Sequence, residues 1–245
     1  MSEHEAAAPP RTPPEGFAAE FDRIEAAVDA GQTDLRALGF WRLLARVKAD
    51  PALSAHWAEQ AGRIDRKAFE ARVRVRVRVP VWFGNALLLG GALLGIAAVA
   101  ISITTESQTL AGLALVFAAL DWSVTWHSPS HWLVGRLVGI RFTCYFVGRV
   151  IPPIPGLKTD YATYLRTPPD ARAWMHASGA VASKLAPIVA WALWPVSRAP
   201  GWAAWAIVGY AALIVLVDVF LSTRFSDWKR VRRELQVARR QRAAR

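Results

Sequence analysis

Four apolar runs constrain this chain more than any other feature, because about 18 consecutive apolar residues suffice to cross a bilayer. They cover residues 81–103, 110 to about 140, 177–194 and 202–221. Gly84, Gly90, Gly91 and Gly95 in the first run would let a neighbouring helix approach closely. The third run is interrupted by Lys184 and Pro187. With 53% hydrophobic residues and twelve tryptophans, mostly near the ends of the runs, the composition is that of a membrane protein with an aromatic belt. The start, Met1-Ser2-Glu3-His4-Glu5, lacks the basic then apolar pattern of a signal peptide, so insertion is expected to rely on the internal runs. The lone Cys144 leaves no internal disulfide and no paired-cysteine metal motif.

The rest of the chain divides around these runs. Residues 1–16, rich in Pro, Glu and Ala, have almost nothing to bury and are expected to be a disordered tail. Over 17–79 the pattern turns helical. Phe17, Phe21, Ile24 and Val28 mark one face, with Gly31 as the stop. A second helix is expected from Thr33-Asp34 to Pro51, and a third from Pro51 towards Val79. The fold class expected is therefore an all-α integral membrane protein, with four transmembrane helices over 80–223, a small helical cytosolic N-terminal domain, and a basic cytosolic tail over 224–245.

Charge sets the expected orientation. The net charge is +11. The run Arg72-Val73-Arg74-Val75-Arg76-Val77-Arg78-Val79 alternates like a strand but stands directly before the first span, where it reads as a positive-inside anchor. The 104–109 and 195–201 connections carry only Glu106 and Arg198, whereas 141–176 and the tail are basic. Both termini and the 141–176 segment are thus expected in the cytoplasm, in a bacterial inner membrane. The partners implied are the lipid bilayer and anionic lipids at the basic flanks. No basic stretch is interleaved with polar and stacking groups as nucleic-acid binding would require.

Chemistry concentrates at the inner end of the second run, in Trp126-His127-Ser128-Pro129-Ser130-His131-Trp132. Residues four apart share a helix face, so His127 and His131 can reach one metal ion. His127 lies roughly 25 Å along the span from Leu110, in the cytoplasmic third of the hydrocarbon. The fourth run also travels inward and delivers Asp218 and Asp227 near that level. Two histidines and one carboxylate would make a three-ligand zinc set with a position open. By depth the third ligand is Asp218. Hydrogen bonds to neighbouring helices, or ligation of a haem, are the other uses of such a pair.

From His127 to His131, followed by Gly135-Arg136 and Gly139, the segment resembles the first motif of the site-2 protease family, intramembrane zinc metallopeptidases with His-Glu-x-x-His. Arg172-Ala173-Trp174-Met175-His176-Ala177-Ser178-Gly179-Ala180 resembles the segment that opens the family's next helix. Ser226-Asp227-Trp228 resembles its Leu-Asp-Gly motif. The resemblance covers about 110–232 and implies zinc on His127, His131 and Asp227. It also implies an extended hairpin in the Pro-rich 151–158 stretch, with a gating role for Tyr161; the residues themselves read as a plain connector. The motif glutamate, the family's general base on zinc-bound water, is Ser128 here, which cannot take that proton near neutral pH. Asp121 shares the face of Ser128 but sits roughly 10 Å away along the axis. The expected function is accordingly a zinc-binding, non-catalytic relative or adaptor with a membrane-protein partner. An active metallopeptidase using an unconventional base, or a metal-free structural protein, are the alternatives.

Overall fold

The computed structural model describes residues 15–71, 77–150, 153–220 and 226–244. Most of the disordered tail expected over 1–16, and the first five residues of the Arg-Val run, lie outside them. The chain forms two units, one built from the N-terminal helices with residues 161–166 and the end of the chain, the other from 74–160 and 167–239.

In the first unit, α1 (Glu15–Asp29) buries Phe17, Phe21, Ile24 and Val28, the three- and four-residue spacing that puts one stripe on one side. It stops at Gly31, whose φ of 91° favours a residue without a Cβ. The second helix starts later than the periodicity suggests. Asp34 accepts hydrogen bonds from the amides of Arg36 and Ala37 and holds a turn, so α2 is Phe40–Val47. The third helix is two helices. Asp50 caps α3 (Pro51–His56), accepting from Ala52 N at 2.7 Å, and α4 (Ala58–Glu70) follows a break at Trp57. Trp57 stacks on Phe21 at 5.0 Å between ring centroids, inside a core that also holds Leu44, Ile64 and Leu165.

The second unit holds four helices long and apolar enough to cross a membrane: α5 (Val81–Thr104), the pair α6 (Gln108–Thr125) and α7 (His127–Leu137), α9 (Pro169–Ala192) and α10 (Gly201–Phe220). Their packing inverts the soluble pattern. Alanines 111, 118, 186, 190 and 203 are buried between helices, while Leu87, Leu93, Leu94, Ile96, Leu213 and Phe220 face outward. Small residues inside let backbones approach, and the large outward side chains suit a lipid solvent. Trp122 is an exception to the aromatic belt. It is buried beside Gly95 and donates from Nε1 to Ala92 O at 3.1 Å.

The fold is mostly helical rather than all-α. A three-stranded antiparallel sheet joins β1 (Val77–Val79), β2 (Phe142–Val150) and β3 (Pro153–Thr159) in that order. The alternation of the Arg-Val run is thus real strand pairing at its end, with Arg78 opposite Phe146 and Val79 opposite Tyr145. The plain connector expected at 151–158 is corrected to a β-hairpin, with Tyr145 opposite Leu157 and Phe146 opposite Gly156. Its prolines disguise it, because Pro cannot donate to a ladder and is confined to edges and bulges; β3 is one of the two edges. Tyr161 stands in α8 (Tyr161–Arg166) and packs on Trp41 and Tyr164 in the first unit. The basic tail is helical as well. In α11 (Asp227–Ala243), Glu234 and Ala238 are buried while most arginines are exposed.

Candidate metal centre

The span expected from 110 to about 140 runs from Gln108 to Leu137 with one turn residue, Trp126, between α6 and α7; Trp126 N donates to Trp122 O at 3.0 Å and Ser130 N to Trp126 O at 3.1 Å across it. A proline inside a helix forfeits a hydrogen bond and clashes with the turn before it. With α7 restarting at His127, Pro129 falls in the first turn, where backbone N–H groups have no helical partner anyway. His127 and His131 are about one turn apart on α7, their rings 4.8 Å between centroids.

Helix α7 packs against α9 through glycines. A Cβ on Gly135 would strike Phe142 and Met175, and one on Gly179 would run into the imidazole of His131. That closeness lets His131 Nδ1 donate to the Met175 carbonyl at 2.6 Å, which also accepts from Ser178 Oγ at 2.8 Å. The Nδ1 proton is thereby fixed and Nε2 is turned outward, the outer-shell arrangement typical of a ligating histidine.

Asp227, the first residue of α11, supplies the carboxylate. Its Oδ2 lies 3.3 Å from His127 Nε2 and 3.2 Å from His131 Nε2. Burial alone would raise the Asp227 carboxyl, but the hydrogen bonds to His127 and His131 outweigh it and hold the group well below the usual carboxylate range. The three donor atoms lie within 4.8 Å of one another. Zinc bonds of about 2.0–2.2 Å in a tetrahedron put donor atoms roughly 3.3 Å apart, so the set is close to the spacing an ion requires. The chemistry of the donors also fits. A neutral imidazole has one N–H, yet both nitrogens of His131 face oxygen acceptors; a cation between Nε2 and Asp227 satisfies that arrangement as well as a second proton does.

Compared with family models, with curated proteins and with solved structures, the chain matches none.

The other site residues read from the sequence stand elsewhere. Asp218 pairs with Lys184 of α9 and accepts from Trp228 Nε1 at 3.2 Å, so it does not join the three donors. Asp121 faces α5, where Cβ atoms on Gly91 and Gly95 would lie 3.5 and 2.8 Å from its carboxylate oxygens. Ser128 is half-buried in the first turn of α7. His176 is buried in α9. Two participants have no motif of their own. The Met175 carbonyl is backbone and leaves no trace in residue identity, whereas Lys184 is visible as a lone charge in an apolar run. A cavity of about 390 Å³ opens beside the donors, bordered by His127, Asp227, Lys184, Asp218 and Tyr210.

Proposed function

We propose that the chain is an integral membrane protein that holds one zinc ion on His127, His131 and Asp227, and that it is a site-2-protease-like scaffold or adaptor without peptidase chemistry. The observation that carries this reading is the convergence of three donors from α7 and α11 to within 4.8 Å of one another, with His131 fixed by Met175. Two neutral imidazoles and one carboxylate leave a divalent ion one excess positive charge and one open position, the pattern of a reactive rather than a closed site. Bound there, zinc would polarise a carbonyl or lower the pKa of a water.

Peptide hydrolysis also needs a base within hydrogen-bond reach of that water. The two nearest candidates in the sequence are engaged or turned away: Asp218 by Lys184 and Trp228, Asp121 towards α5. This favours binding over cleavage. The exposed arginines of α11 and the basic 141–176 segment support cytoplasmic termini in a bacterial inner membrane with anionic lipid. The helical N-terminal unit is the natural surface for a membrane-protein partner.

Elemental analysis of the detergent-purified protein tests the reading. About one zinc per chain is expected, and its loss in the His127→Ala/His131→Ala double variant; no zinc in the unaltered protein overturns the proposal. The Ser128→Glu variant separates scaffold from enzyme. A dormant scaffold gains hydrolysis of a membrane-segment substrate on receiving the missing base, whereas proteolysis by the unaltered chain would identify an active metallopeptidase with another base.

A further inference from the structure

We infer that the cavity beside the donor set binds a small amphiphile carrying one carboxylate, with Lys184 as the anchor of its head group. An ammonium within an apolar span is costly and marks a functional position by default. Lys184 has three N–H donors, and among the described residues its ion-pair partner is Asp218 alone. The Lys184 side chain borders the cavity, together with the hydroxyl-bearing Ser183 and Tyr210. Val124, Leu213, Ile214 and Val217 supply an aliphatic wall. A concave, mainly apolar space with a few convergent polar groups is the usual form of a small-molecule site.

Size and charge select the occupant. About 390 Å³ lies at the low end of such sites. A helix about 10 Å across with its side chains does not fit, which excludes a transmembrane segment as the resident ligand. Lys184 offsets Asp218, and Arg230, 3.8 Å from Asp227 Oδ1, offsets Asp227. The excess at the cavity is then that of a divalent ion, so the preference for an anion rests on the zinc reading proposed above. A carboxylate suits both Lys184 and the ion, and the aliphatic wall asks for a hydrocarbon chain behind it.

Native mass spectrometry in a non-ionic detergent, with decanoate and decanol as probes, tests this. Zinc-loaded protein is expected to take one decanoate per chain, about tenfold more tightly than decanol. The Lys184→Met variant loses that preference. The Asp218→Asn variant, which frees the ammonium, binds decanoate more tightly. A merely structural ion pair predicts that both variants bind more weakly. Equal affinity for decanol, an unchanged preference in Lys184→Met, or weaker binding in Asp218→Asn overturns the inference. The two proposals fail separately. Protein without zinc that still selects decanoate through Lys184 sinks the zinc reading alone, and zinc-loaded protein indifferent to decanoate sinks this one alone.

Discussion

At the scale of single residues, the centre depends on a hydrogen atom. Gly179 has no Cβ, and any Cβ there would occupy the space of the His131 ring. Two effects of Gly179→Ala oppose each other. Alanine favours the helix by roughly 0.5–1 kcal/mol, while a displaced ligand or outer-shell contact costs about 10–100-fold in metal affinity. The expected outcome is unchanged helix content by circular dichroism with zinc affinity down by about that factor, read by competition with a chelator. An affinity equal to that of the unaltered protein would mean that the ring can move aside freely. The histidine pair and the two candidate aspartates are legible in the sequence, because four-residue spacing and chain direction fix face and depth. The choice between Asp218 and Asp227 is not. Depth measures rise along an axis, but lateral position decides here, and Lys184 claims Asp218 from the side.

Among the elements, α11 matters most, since it carries Asp227 to the histidines. Seven residues further on, two turns along the same face, Glu234 is paired with Arg172 of α9 at 2.9 Å, with side chains 6% and 1% exposed. Breaking a buried pair by removing one member typically costs about 3–5 kcal/mol, while replacing both members with apolar residues is often neutral. Arg172→Met or Glu234→Met should therefore destabilise by about that amount in thermal melts monitored by intrinsic fluorescence, and the double variant should recover most of it. A double variant no better than the singles would show that the pair is worth more than its mutual compensation. A tail with nine Lys and Arg after Thr223 reads as solvated, and its composition hides the Glu234, Ala238, Gln241 spacing that gives it a buried face. The hairpin at 142–159 is hidden for a different reason: its third strand opens on proline and lies at an edge, where the ladder asks for fewer donors. The four long helices are the most legible part, because hydropathy summed over a whole span needs no tertiary information.

Taken as a whole molecule, the chain has two units, one with four helices apolar enough to cross a membrane and one without, and their stabilities should answer to different variables. In the N-terminal unit, burial would raise the Glu25 carboxyl, but hydrogen bonds from Arg63, Lys67 and Gln60 more than compensate and bring it below its ordinary value. A depressed carboxyl contributes stability above its unfolded pKa of about 4.3 and loses it as pH falls through the folded value. Hydrogen exchange across residues 17–68 should therefore accelerate from about pH 4 downward after correction for intrinsic rates, and Glu25→Gln should flatten that dependence. Identical profiles for the two proteins would remove Glu25 as the cause. In the second unit, by contrast, the proposed ion would be the controlling quantity. His131 and Asp227 meet across a sequence separation of 96 residues. A metal bound to both closes a chain loop of that length, and in the unfolded ensemble such a closure removes conformational freedom much as a disulfide would, by an amount on the order of 4–5 kcal/mol in the chain-entropy account. With the proposed zinc bound, the centre would also be a staple, fastening α11 to α7 and releasing it wherever free zinc is scarce.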